Sequence, residues 1–202
     1  MNTQNVPTGT VYVVDDDPAV LKLLQALMAT IGMEVRAFAA ATEFLANYRP
    51  SPCECLVCDL RMPDIDGMEL QKRLKASGAV LPIIFLTGFA EVSVAVEAMR
   101  HGAFDFIEKP FSAQSLLAKV QSALELSRVQ YAEWREQQAK QARLALLTPR
   151  ENSVIRHVVA GKSSREISEL LGISVRTVEN HRTRIMEKLH VDSTVDLVRL
   201  CL

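Results

Sequence analysis

The sequence has no apolar run near the roughly 18 residues that a membrane span needs. Its first ten residues, MNTQNVPTGT, have neither a positive start nor an apolar core, so no targeting segment is expected. A soluble, cytoplasmic protein with no membrane contact is the expectation. Strong charge of one sign is also missing, for the formal net charge is −1 at pH 7. That balance hides an asymmetry. Residues 1–126 hold 10 Lys and Arg against 15 Asp and Glu, residues 127–147 hold 4 against 2, and residues 148–202 hold 9 against 7. An acidic front suits a cation or a basic partner. A mildly basic back permits nucleic acid without demanding it.

Signatures of metal and nucleotide enzymes are sparse. The four histidines, His101, His157, His181 and His190, show no H-E-x-x-H spacing. Gly161-Lys162-Ser163 looks like the end of a phosphate loop, but Arg156 stands where that loop needs glycine. Of four cysteines, Cys53, Cys55 and Cys58 form C-x-C-x2-C. Cys55 to Cys58 is an apolar run that reads as a buried strand. Neighbouring strand side chains point to opposite faces, so Cys55 and Cys58 should diverge. Reduced structural thiols are favoured over a metal or redox site.

Strand and helix signals alternate through the first 126 residues. Thr10–Val14, Met33–Ala37, Cys55–Cys58, Pro82–Leu86 and Phe104–Ile107 read as strands. Asp17-Pro18 caps a first helix that carries Val20, Leu23, Leu24, Leu27 and Ile31 and stops at Gly32. Further helices are expected at 40–48, after Asp66-Gly67, at Glu91–His101 and after Ser112. Five such units with strands apolar throughout imply a doubly wound α/β fold, a parallel sheet covered on both faces. The last helix runs without Gly or Pro to about Ala142. Leu117, Val120, Leu124, Ser127, Tyr131, Trp134, Gln138, Gln141 and Ala145 form a heptad-like stripe on it. Four short helices follow. Thr148-Pro149-Arg150-Glu151 and Ser163-Ser164-Arg165-Glu166 are capping boxes, and Ser174 and Ser193 are further caps. The organisation expected is an α/β domain over residues 8–126, a linker helix over 127–146 and an all-α domain over 147–202.

Chemistry in such sheets sits beyond the carboxyl ends of the strands. Asp15 and Asp16, Asp59, Thr87 and Lys109 all fall there. Three carboxylates brought together repel one another, and Mg²⁺ with its oxygen ligands relieves this. Lys109 adds a positive charge for phosphoryl oxygens and Thr87 a hydroxyl. A carboxylate can itself act as a nucleophile and form an aspartyl phosphate.

The segments Val13-Val14-Asp15-Asp16-Asp17, Asp59-Leu60-Arg61-Met62-Pro63-Asp64, Thr87-Gly88 and Phe106-Ile107-Glu108-Lys109-Pro110-Phe111 resemble the receiver domain of two-component response regulators. The resemblance implies Asp59 as phosphoacceptor and a sensor histidine kinase as donor. It implies Mg²⁺ held by Asp15, Asp16, Asp59 and the main-chain carbonyl of Arg61. Thr87 and Phe106 would be the switch pair, Lys109 the phosphate clamp, and Lys109-Pro110 a cis bond. Arg61 and Phe89 would flank the phosphoryl group and govern its lifetime. Val96, Arg100 and Asp105 would be contacts in a homodimer formed on phosphorylation.

In the back half, a short helix, a tight turn at Gly172-Ile173-Ser174 and a longer helix have helix-turn-helix spacing. On the longer helix Val178, Ile185 and Leu189 share one face, with Arg176, Asn180, Thr183 and Glu187 opposite. Glu179, Asn180 and Thr183 can reach base edges, whereas Arg176, Thr177, Arg182, Arg184 and Lys188 are expected on phosphates. Leu147-Thr148-Pro149-Arg150-Glu151, Glu166-Ile167, Ile173-Ser174, Thr177-Val178-Glu179 and Lys188-Leu189 resemble the LuxR-type helix-turn-helix. With the receiver, the chain resembles the FixJ/NarL transcription regulators. This implies promoter DNA and RNA polymerase as partners, and no enzyme beyond turnover of the chain's own phosphate. A protein-binding output without DNA reading, and a redox or metal sensor, are the competing classes.

Overall fold

A computed structural model describes residues 9–88 and 92–201. The chain divides into two compact units, Met1–Trp134 and Arg135–Leu202.

The first unit alternates strand and helix. Its strands are β1 (Thr10–Val14), β2 (Glu34–Phe38), β3 (Glu54–Asp59), β4 (Ile83–Thr87) and β5 (Asp105–Glu108). Its helices are α1 (Pro18–Ala29), α2 (Ala41–Asn47), α3 (Gly67–Ala76), α4 (Val92–Arg100) and the part of α5 (Ala113–Leu144) up to Trp134. The strands pair in parallel in the order β2-β1-β3-β4-β5. The period-two alternation of side chains splits the sheet's apolar residues between two cores. Tyr12, Leu56, Cys58 and Phe85 pack with Phe44, Leu70 and Leu74 on one face. Val11, Val13, Cys55, Val57, Ile84 and Leu86 pack with Leu24, Met28, Leu116, Val120 and Leu124 on the other. Cys55 and Cys58 therefore do diverge, and burial pushes both thiols up.

Local signals set most boundaries. Asp17 accepts from the Ala19 amide at 2.8 Å with Pro18 in the first turn, and Asp66 accepts from the Glu69 amide at 2.7 Å. Ser112 accepts from the Ser115 amide at 3.1 Å. The second strand begins at Glu34 rather than Met33, because the Met33 amide is spent on the Met28 carbonyl at the end of α1. The expected helix start at Glu91 lies outside the described residues.

Helix α5 is fully buried at Leu116, Val120, Ala123, Leu124 and Ser127. Leu117 is half-buried against the same core, beside fully buried Leu116. Ser127 is polar yet buried, because its hydroxyl accepts from the Glu54 amide at 3.0 Å. One turn later Tyr131 and Trp134 place their ring centroids 5.4 Å apart.

The second unit contains α6 (Pro149–Val159), α7 (Ser164–Leu171), α8 (Val175–Leu189) and α9 (Thr194–Cys201). Both capping boxes form with reciprocal hydrogen bonds, and Ser174 accepts from the Thr177 amide. Gly172 takes φ +64°, the left-handed value that the tight turn between α7 and α8 requires and glycine tolerates. Val154, Ile155, Val158, Ile167, Val178, Ile185, Leu189 and Leu197 form a single small core.

Candidate functional site

Parallel register brings the strand ends together on one edge of the first unit. Val14 pairs with Cys58, Asp59 with Leu86 and Thr87 with Glu108, so the residues just beyond β1, β3 and β5 become neighbours. The strand order reverses between β1 and β3, the position where open α/β sheets form their ligand crevice.

Lys109 joins the acids. Its Nζ lies 2.8 Å from Asp15 Oδ2 and 2.6 Å from Asp59 Oδ1, across 94 and 50 residues of sequence. Its own amide donates to the Thr87 carbonyl at 2.7 Å, which fixes where the side chain starts. The Lys109-Pro110 bond is cis. Burial opposes charge on Lys109, but the two hydrogen-bonded carboxylates outweigh it and raise its pKa. Asp15 is 1% exposed, and burial raises its pKa despite Lys109 and the Asp17 amide; nearby Asp59 pushes the same way. The remaining Asp59 oxygen accepts from the Arg61 amide at 2.9 Å. Thr87 is buried, with its hydroxyl donating to the Gly88 carbonyl at 3.0 Å, while Phe106 is 40% exposed. Asp16 is exposed beside Asp15. Phe89 lies outside the described residues.

Among the described residues no three His, Cys, Asp or Glu side chains already gather as a metal cluster. The donor set nevertheless fits Mg²⁺. All the donors are oxygens, and this ion binds through one or two carboxylates while keeping waters. Burial disfavours the charged form of Asp15, and further positive charge at the site would offset that.

The β3–α3 connection is close-packed around Asp59. A Cβ on Gly67 would fall 2.7 Å from the Asp59 carbonyl oxygen, 2.8 Å from the Phe85 ring and 3.1 Å from Leu60 Cα. Asp64 in the same loop accepts from the Thr42 amide and hydroxyl at 3.0 and 2.9 Å, a contact that no sequence spacing announces.

Of the expected dimer contacts, Val96 and Arg100 are exposed on α4, and Met99 on the same helix and Phe106 on β5 are exposed as well. Asp105 is instead half-buried and ion-paired with Lys119 of α5.

In the second unit, α8 turns Val178, Ile185 and Leu189 inward. Arg176, Glu179, Asn180, Thr183 and Arg184 are exposed, with Thr177 and Arg182 at the margins. Arg182 is held by Thr194 Oγ1 at 3.0 Å, at the start of α9. Lys188 departs from the expectation of a phosphate contact. Its Nζ donates to Glu151 Oε2 at 2.7 Å and to the Leu146 carbonyl at 3.2 Å. The capping-box glutamate thus has a second partner 37 residues away.

Two family models match the chain. The response regulator receiver domain matches residues 11–121, and bacterial regulatory proteins of the luxR family match residues 145–201. The transcriptional regulatory protein TdiR of Thauera aromatica is 42% identical over 97% of this chain and 86% of its own length. FixJ of Bradyrhizobium diazoefficiens is 40% identical over 96% of this chain and 95% of its own. Among solved structures, the response regulator StyR is similar with TM-score 0.72 and 38% identity, covering 96% of this chain and 98% of StyR. The described fold, the acids beside Lys109, and relatives matched nearly end to end lead to one conclusion: the chain belongs to the response regulators of the FixJ/NarL type, transcription regulators that join a receiver domain to a LuxR-type DNA-binding domain.

Proposed function

We propose that Asp59 accepts a phosphoryl group from a phosphohistidine on a sensor histidine kinase, and that the phosphorylated chain dimerises and binds promoter DNA. The observation that carries this reading is the Lys109 ammonium held on both Asp15 and Asp59.

An oxygen of Asp59 attacks phosphorus, and the bond from phosphorus to the leaving nitrogen or oxygen breaks. The carboxylate becomes an acyl phosphate. Lys109 is already within hydrogen-bond distance and can follow the charge onto the new phosphoryl oxygens. The Arg61 amide holds the second carboxylate oxygen and so leaves one oxygen to react. Mg²⁺ bound by Asp15, Asp16, Asp59 and the Arg61 carbonyl would neutralise phosphoryl charge. Thr87 turns from Gly88 towards the phosphoryl group, and Phe106 follows it inward from its exposed position. That is the proposed route to the α4–β5 surface, with Val96, Arg100 and Asp105 at a dimer interface. The chain turns over only its own aspartyl phosphate and is no enzyme in the ordinary sense.

On DNA, Glu179, Asn180 and Thr183 of α8 are proposed to read base edges, with Arg176, Thr177, Arg182 and Arg184 on phosphates. RNA polymerase is the partner that such a regulator addresses at a promoter, and the cytoplasm is where both are met. The test is Asp59→Asn. It should lose labelling by acetyl phosphate with Mg²⁺, along with the phosphorylation-dependent rise in mass by light scattering and in DNA affinity. Acid-stable full labelling of that variant would overturn the reading.

A further inference from the structure

The loop from Asp59 to Gly67 does not hold its shape through its own bonds alone. Met62 and Ile65 anchor it by burial in one core of the first unit. Between them Asp64 is exposed, yet its Oδ2 accepts from the Thr42 amide at 3.0 Å and from the Thr42 hydroxyl at 2.9 Å. Thr42 is in the first turn of α2. The N-cap position there is Ala40, whose side chain has no acceptor. The first amides of a helix lack intrahelical partners. Asp64 supplies one from 22 residues downstream. Although what burial it has would raise the Asp64 pKa, the bonds from Thr42, Ile65 and Ala41 outweigh that and lower it.

The partner of this loop is itself tied to the site. The connection leading into α2 leaves β2 at Phe38, whose carbonyl accepts from the Asp15 amide at 3.3 Å. One short segment is thus bonded to the backbone of Asp15 at one end and to the Asp59 loop at the other. Within that loop, the Arg61 amide lies on Asp59 Oδ2, and the Arg61 carbonyl is the one proposed above to hold Mg²⁺.

We propose that Asp64 is a positioning residue for the chemistry at Asp59: by fastening its loop to Thr42, it holds the Arg61 backbone against the reacting carboxylate. This rests on Asp59 being the phosphoacceptor. A loop released at Asp64 loses the fixed approach of both the Arg61 amide and the Arg61 carbonyl. Mg²⁺ affinity and phosphorylation rate then fall together. A residue that merely caps α2 would lower stability and leave Mg²⁺ affinity unchanged.

The experiment uses the full-length chain and four variants: Asp64→Ala, Asp64→Asn, Thr42→Val and the double variant Asp64→Ala/Thr42→Val. Mg²⁺ binding is measured by titration calorimetry, labelling by acetyl phosphate, and folding by circular dichroism and melting. Asp64→Ala should weaken Mg²⁺ binding about fivefold, the factor equivalent to one lost cap, and slow labelling similarly. Asp64→Asn keeps an acceptor for the Thr42 amide and should recover most of both. The double variant should be no worse than Asp64→Ala, since the two residues act through one contact. Wild-type Mg²⁺ affinity in folded Asp64→Ala overturns the proposal, and so do additive losses in the double variant. If Asp64→Ala does not fold, Thr42→Val is read in its place: it removes the hydroxyl bond and keeps the amide bond, so a smaller loss of Mg²⁺ affinity is expected, and wild-type affinity there overturns the proposal. Failure of the underlying reading appears elsewhere, as labelling retained in Asp59→Asn.

Discussion

Replacing Lys188 with alanine separates two roles that a basic residue on a recognition helix can have. The Lys188 side chain is 36% exposed, whereas that of its partner Glu151 is 4% exposed. The pair, helped by Thr148, holds Glu151 down from its ordinary 4.5 to about 2. A shift of that size corresponds to about 3 kcal/mol of preference for the charged form. Water screens the exposed side of the ammonium, and Thr148 would still hold the carboxylate. About 2 kcal/mol is therefore the expected cost of Lys188→Ala to the second unit. The pH dependence has a definite sign. A carboxylate depressed in the fold contributes stability that is present above 4.5 and lost as pH falls towards about 2. The wild type should thus lose stability over that window, and Lys188→Ala should lose much less. Urea unfolding by circular dichroism at pH 7 and pH 3 measures both. Binding to a promoter fragment at several salt concentrations measures the alternative. A phosphate contact contributes about one unit of log–log salt slope, which Lys188→Ala should leave unchanged. Undiminished stability with a slope flatter by about one unit would refute the structural role.

Other perturbations address the remaining parts. Lys109→Ala should keep its fold but slow labelling by acetyl phosphate about a hundredfold, as for loss of a charge-stabilising donor; a wild-type rate would remove Lys109 from the chemistry. Gly67→Ala forces a methyl group against Asp59 and Phe85. It should cost about 1–3 kcal/mol in urea unfolding, and an unshifted midpoint would show that the backbone has room. Asn180→Ala should lose about 1–3 kcal/mol on the preferred site and relax one base position in a substitution series. Equal loss on every sequence would put the wrong face of α8 in the groove.

Much of this protein was legible in the chain alone, for reasons of range. Caps, capping boxes and glycine stops act over three or four residues, and Thr148–Glu151, Ser163–Glu166 and Asp17-Pro18 formed as their spacing required. The alternation of strand side chains placed Cys55 and Cys58 in separate cores. It also followed that acids at strand ends meet at one edge once the strands run parallel. Tertiary structure decided what depends on the exact approach of distant elements. Lys188 turned to Glu151, 37 residues earlier, whose buried carboxylate needed a cation. Asp105 paired with Lys119, and Ser127 was buried where its hydroxyl accepts from the Glu54 amide at the start of β3. Asp64 found Thr42 only because the loop after β3 passes the uncapped start of α2. Such pairings carry no sequence period. They follow from unsatisfied polar groups that packing brings within about 3 Å of each other, a distance set by the whole fold rather than by neighbours in the chain.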